Sequence, residues 1–292
     1  MARGPSGCCE LSSSSLYPAS PGCSPPSLGE PRLNTITFTT HTGLVAACGG
    51  ATTSCLVIKD GVWKADPRVP DLTRVRAYAT AVSVPGGILV IGGGSSRTAR
   101  SSIILGNGNS SWEEGPRLLG RGASRACSIS LGESVFLIGG KSEEHQVREL
   151  NMRTWEWEEE GKWPQLGGGG RVDHACGVFN SKLIVTGGGE SRSEPSDTTL
   201  VLDLTGGPGT NWVEGGRLHS ARYGHAMVTM GLAGQEKLFV IGGSEGGQMG
   251  DIDRVEVWQE ETRSWEEEEE RLPEGRHFMG AVAVTRALVC PV

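Results

Sequence analysis

Arginine recurs in this sequence at the head of short runs of small apolar residues. Arg76 opens "RAYATAVSV", Arg125 opens "RACSISL" with Arg121 just before it, Arg171 opens "RVDHACGVF", Arg222 opens "RYGHAMVTM" and Arg276 opens "RHFMGAVAV". A guanidinium presents a planar fork of N–H donors that fits a carboxylate or phosphate in bidentate fashion, so these groups brought to one place would form an anion-recognition surface. A second set of polar groups recurs behind glycine pairs: Ser95 and Arg97, Lys141 and Ser142, Glu190, Ser191 and Arg192, then Ser244 and Glu245. The other use of such arginines is to donate to backbone carbonyls between packed elements, and both uses stay open at this point.

The glycine pairs suggest a different chemistry, a phosphate cradle. They end "LVAACGG", "ILVIGGG", "VFLIGGK", "LIVTGGG" and "LFVIGGS". A phosphate loop needs GxxxxGK[ST] or a helix whose N-terminal amides face the ligand, and here each pair leads into a further β-like run. His174 and His225 stand at matching places in successive units, as do Cys127 and Cys176, and such repetition points to packing. His41, His145, His219 and His277 show no constellation with Ser or Asp, so no catalytic residue is assigned. The eight cysteines include no CxxC spacing, and neither a metal nor a cofactor is expected.

These residues must be positioned by a repeated unit. The pairs are Gly49-Gly50, Gly92-Gly93, Gly139-Gly140, Gly187-Gly188 and Gly242-Gly243, and each is followed by a tryptophan: Trp63, Trp112, Trp155, Trp212 and Trp265. Between pair and tryptophan lies a second β-like run, such as "CLVIKD" or "TTLVLDL". With the arginine-headed run and the strand before the glycines, each unit reads as four short strands separated by turn residues. A period of roughly 45–50 residues with four strands per unit is the mark of a β-propeller. The 45 glycines in 292 residues are about twice the usual share of ~7%, as many tight turns require. In an antiparallel hairpin the start of the first strand and the end of the second share one end. The arginines and the loops behind the glycines therefore fall on one face of the disc.

The glycine pair, the tryptophan and their spacing resemble the kelch repeat over residues 32 to 290, although the tyrosine usual before the tryptophan is replaced by Asp60, Asn151, Asp203 or Trp258. The resemblance implies a kelch-type propeller whose loop face binds acidic or phosphorylated peptide segments. A ubiquitin-ligase adaptor would then be supplied in trans. It also brings in two enzymatic alternatives. A galactose-oxidase chemistry would draw on Tyr17, Tyr78 and Tyr223, the only tyrosines present, and is disfavoured; a sugar epimerase or lyase is the stronger alternative. A third alternative is a secreted interaction protein closed by disulfides.

Five units leave "MGAVAVTRALVCPV" at one end and a Ser/Pro-rich segment at the other. We expect six four-stranded blades in a single all-β propeller over 32–292. The closing blade takes its inner strands from the C-terminus and its outer strands from residues 1–31, with Cys23 in the tryptophan place and Cys290 near Cys9 or Cys23; the alternative is an unstructured tail. The net charge of −7 gives no general attraction for nucleic acid or anionic membrane, and no apolar run approaches the ~20 residues of a membrane span. The N-terminal stretch lacks a signal-peptide core, so a cytoplasmic location is expected. The acidic runs after the tryptophans, such as Glu266 to Glu270, read as a solvated outer edge. The functional expectation is a non-catalytic protein-interaction module that binds through Arg76, Arg125, Arg171, Arg222, Arg276, Arg97, Lys141 and Arg192.

Overall fold

The computed structural model describes residues 9–12, 28, 32, 34–94, 98–232, 235–247 and 250–284. Strand β1 (Cys9–Ser12) precedes the first blade, which is built from β2 (Thr35–Thr39), β3 (Val45–Gly49), β4 (Cys55–Lys59) and β5 (Val62–Lys64). Blade 2 follows with β6 (Thr80–Val84), β7 (Gly87–Ile91), β8 (Ser102–Gly106) and β9 (Glu113–Glu114). Blade 3 holds β10 (Cys127–Leu131), β11 (Ser134–Ile138), β12 (Val147–Asn151) and β13 (Glu156–Trp157). In blade 4 come β14 (Ala175–Phe179), β15 (Lys182–Thr186), β16 (Thr199–Asp203) and β17 (Val213–Glu214). Blade 5 comprises β18 (Ala226–Leu232), β19 (Gln235–Ile241), β20 (Val255–Gln259) and β21 (Ser264–Glu267), and β22 (Ala281–Val284) ends the described chain. Each blade is an antiparallel meander in sequence order.

Among the described residues the architecture has five four-stranded blades, which corrects the expectation of six. The inner strands β2, β6, β10, β14, β18 and β22 nevertheless stand side by side round the axis, β22 lying between β18 and β2. The sixth place at the hub is thus held by a two-stranded sheet. In it β1 runs parallel to β22, with Cys9 opposite Ala281 and Ser12 opposite Val284. A blade needs an antiparallel hairpin followed by outer strands, and the N-terminal strand instead bonds straight to the inner one in parallel. The expected strand at "ALVCPV", the Cys23 position and the Cys290 pairing lie outside the described residues.

The core is a set of wedges between blades. Strands β3, β7, β11, β15 and β19 carry the runs before the glycines, covered on both faces, so they read as continuous apolar segments. Ile36, Phe38 and Val57 of blade 1 pack with Ile88, Ile103 and Trp112 of blade 2, and the pattern repeats at the next seams. The tryptophan ring fills the widening rim, and its indole N–H reaches a carbonyl nearer the preceding blade. Trp112 donates to Pro70 at 2.8 Å and Trp212 to Pro164 at 3.0 Å. In blade 3 this role falls to Trp157, which donates to Pro116, while Trp155 sits in the β12–β13 turn with a left-handed φ of 58°. Trp265 donates to Thr199 Oγ1 at 2.8 Å, and Trp63 lies half-buried on β5.

Among the described residues two cysteine pairs are disulfides. Cys48 and Cys55 are register partners on β3 and β4. Cys127 and Cys176 join the inner strands of blades 3 and 4, so they cross-link a seam. They are not equivalent positions: Cys127 opposes Ile138 as Ala175 opposes Thr186, which puts Cys176 one residue further along its strand. Among the described residues no helix is long and apolar enough to cross a membrane.

Candidate functional site

From blade 2 onward each glycine pair sits where two backbones approach. The second glycine donates its N–H to the next blade: Gly93 to Ala123, Gly140 to Arg171, Gly188 to Arg222 and Gly243 to Arg276, all at 2.7–2.9 Å. The first glycine comes so close that a Cβ on Gly139 or Gly187 would stand 2.6 Å from the carbonyl oxygen of Arg171 or Arg222. Both glycines also have φ in the left-handed region, which a side chain would strain. The pairs are architecture.

The arginines divide. Arg76, Arg171 and Arg222 are fully buried and donate to the first glycine carbonyl of their own blade, Gly92, Gly187 and Gly242, at 2.8, 2.9 and 3.1 Å. Arg76 also reaches Ser101, Arg171 reaches Thr198, and Arg222 pairs with the buried carboxylate of Glu256, which takes the His219 N–H as well. Burial lowers all three pKa values, that of Arg171 to about 10, which leaves Arg171 a cation at neutral pH. Each of the three ties its own blade together from within, and none is exposed to a partner. Arg32 plays the same part in blade 1 through Ser54.

Blade 3 departs from the pattern. Its residue at this place is Ala123, and the buried guanidinium next to it is that of Arg148 from β12, which donates through both Nη groups to Gly122 O at 3.2 Å. Arg125 therefore lies two residues past the structural position, which changes what it can do. The residues level with it are Asn34, Tyr78, Asp173, Gly224 and Phe278, and all of them but glycine are non-glycine residues held at positive φ. They form a ring at one mouth of the hub, linked by backbone bonds. Arg125 N–H donates to Tyr78 O, Asp173 to Arg125, Gly224 to Asp173, Phe278 to Gly224 and Asn34 to Phe278.

Side chains converge on this ring. Asp173 Oδ2 accepts from Arg125 Nε and from Arg192 Nε, each at 2.8 Å. The Asp173 side chain is 2% exposed, whereas those of Arg125 and Arg192 are 19% and 37% exposed. Arg192 comes from the β15–β16 loop, and its guanidinium lies 4.4 Å from the Phe278 ring centre, 5.4 Å from Tyr78 and 5.8 Å from Tyr223. Burial acts against the Arg192 cation, but the Tyr78 hydroxyl and the Asp173 carboxylate outweigh it and hold its pKa above the ordinary value. The His277 ring lies tilted against that of Phe278, and His277 pairs with Asp251. A cleft of about 510 Å³ opens beside Tyr78, bounded by Arg74, Val75, Gly94 and Thr98. The arrangement is two guanidiniums fixed by one carboxylate, banked by aromatic rings and open to solvent on the outer side.

The remaining expected residues are dispersed. Lys141 is exposed on the same face, Arg276 is half-buried with a bond to Glu274, and Arg97 lies outside the described residues. His174 and His225 are buried against Gly139 and Gly187. Burial lowers the His174 pKa to about 3 and pushes His225 well below its usual value. A second cavity of about 290 Å³ lies on the opposite face, between the β2–β3 and β8–β9 turns, where Arg68 is already held by Asp66. Among the described residues no group of three His, Cys, Asp or Glu side chains is placed to hold a metal ion. Sequence reasoning missed Tyr78, Asp173, Tyr223 and Phe278. The signal lay in spacing: Arg76 and Arg171 each precede their glycine by 16 residues, and Arg125 stands two closer.

Comparison with known proteins agrees with this architecture. The solved structure of YjhT superposes with a TM-score of 0.68 over 92% of this chain and 90% of that one, at 14% identity, which shows a shared fold alone. No curated protein matches the sequence. The family model described as the KLHDC2/KLHL20/DRC7 Kelch-repeats domain matches residues 78–290. With glycine pairs that seat one blade on the next, and a family match over most of its length, the chain belongs to the kelch-repeat β-propellers.

Proposed function

We propose that the protein is a non-catalytic interaction module that takes an acidic group of a peptide or protein partner on Arg125 and Arg192 at the hub mouth. One observation carries this reading: two guanidiniums are held rigidly by one buried carboxylate yet keep part of their surface in solvent. Holding them in place lowers the ordering cost that long, free side chains would incur on binding. The rings of Tyr78, Tyr223 and Phe278 supply rigid apolar contact beside the charge, the combination that forms interface hot spots. The cleft beside Tyr78 gives a partner segment room to lie against the mouth.

The test uses peptide pools with a fixed central Glu or Gln flanked by randomised positions. The Glu pool is expected to bind the wild-type protein preferentially, and a doubly substituted Arg125→Gln/Arg192→Gln protein, whose amides can still donate to the buried Asp173 carboxylate, is expected to lose that preference, its fold being checked by thermal unfolding. Equal capture of the Glu and Gln pools by wild type would overturn the reading.

A further inference from the structure

We infer that Asp173 sets the charge the mouth accepts, restricting it to a singly charged carboxylate and excluding a phosphate; this rests on the reading above that the mouth binds an anion. Both guanidiniums converge on one oxygen of Asp173, so the three charges in contact sum to a single positive charge. A ligand carboxylate carries one negative charge and balances that sum. A phosphorylated side chain carries about −1.5 to −2 at pH 7, so it brings charge the trio does not neutralise.

Position matters as much as count. The Asp173 side chain is almost wholly buried, and its backbone N–H and carbonyl are both used in the hub ring, so it cannot swing away when a ligand arrives. An incoming oxyanion must share the two guanidiniums with it at short range, and a like charge there penalises a dianion more than a monoanion. Asp173 takes Nε and Nη2 of Arg125 and Nε of Arg192, and the Tyr78 hydroxyl engages Arg192 as well, so the ligand meets only the remaining Nη donors of the two guanidiniums. The equivalent position in the next blade is Gly224. The carboxylate is therefore not required for the left-handed turn itself.

The experiment adds a third pool, with phosphoserine at the fixed position, to the Glu and Gln pools. It compares wild type with Asp173→Asn, which keeps shape and tolerates the left-handed backbone, and with Asp173→Gly, which copies blade 5. Wild type is expected to rank Glu above phosphoserine. Both variants are expected to raise phosphoserine binding relative to Glu by about tenfold or more, since removing the carboxylate leaves two unopposed cations. If the Glu preference over Gln is present in wild type and the Glu-to-phosphoserine ratio is unchanged in whichever variant unfolds at the wild-type temperature, the role of Asp173 is wrong and the anion site stands. If wild type shows no Glu preference over Gln, the site reading itself has failed.

Discussion

Cys127 on β10 and Cys176 on β14 are joined across the seam between blades 3 and 4, and one seam earlier the same two places are held by Thr80 and Ser128, whose hydroxyls lie 2.7 Å apart. The bond therefore replaces a polar contact that the hub makes elsewhere. It stands two and three residues beyond Arg125 and Asp173, so it also fixes the blades that carry the central ion pair.

Closing a loop of 49 residues is worth about 4 kcal/mol by the chain-entropy account, against about 2 kcal/mol for the 7-residue Cys48–Cys55 loop. Reduction is expected to lower the unfolding temperature, with Cys176→Ala costing more than Cys55→Ala. Peptide mapping without reductant is expected to recover both linked pairs. Recovery of all four thiols free would place the protein in a reducing compartment, where such bonds do not persist.

Removing buried arginines separates structure from recognition. Arg171→Ala leaves the carbonyls of Gly187 and Thr198 without their donor, a loss of about 1–3 kcal/mol. Arg222→Ala leaves Glu256 as a buried charge without its cation and is expected to cost about 3–5 kcal/mol. Arg125→Ala, at a more exposed position, is expected to cost less than either. Denaturant unfolding of the three variants checks the order.

Acid is expected to destabilise the propeller through its histidines. The folded-state pKa of His174 is lowered to about 3, so in the unfolded chain the ring takes up a proton below ~6.5 while the folded one does not. Stability is thus unaffected above that pH and falls by about 1.4 kcal/mol per pH unit beneath it, about 2 kcal/mol at pH 5, until the folded pKa is reached. His225 adds a loss of the same sign. Unfolding midpoints followed from pH 7 to pH 5 are expected to fall less steeply in His174→Gln.

The glycine pair gives a direct contrast. Gly187→Ala places a Cβ 2.6 Å from both Arg222 O and His225 Cε1 at a φ of 58°. Gly132→Ala has the same kind of backbone, φ 59°, with nothing within 4 Å. The hairpin glycine is expected to cost about 1–2 kcal/mol from backbone strain alone and the hub glycine clearly more, as compared by thermal unfolding.

Repetition made the blades legible. "ILVIGGG" and its relatives announce a strand buried on both faces, and glycine behind it announces close approach of a neighbour. The same repetition concealed the site. Arg125 looks like its fellows because it also opens a small apolar run, and only its distance to the glycine pair, two residues shorter than in blades 2 and 4, marks blade 3 as shifted. Tyr78, Asp173 and Phe278 differ in type at a shared position, so no pattern of residue identity marks them; their common property is a left-handed backbone, visible only in three dimensions. Closure at the ends failed for a related reason, since strand direction cannot be read from composition and β1 pairs in parallel.

The central claim is that recognition lies in the fixed pair at the mouth and not in the general positive charge of the loop face. Binding of the labelled Glu pool, followed by fluorescence anisotropy, should be compared among wild type, Arg192→Gln and Lys141→Gln. Each variant removes one cation from the same face, but only Arg192 touches Asp173 and the aromatic rings. Loss of about tenfold or more in Arg192→Gln with no change in Lys141→Gln is the predicted result. Equal, small losses in both would mean that the face attracts anions diffusely, and the account of the mouth would be contradicted.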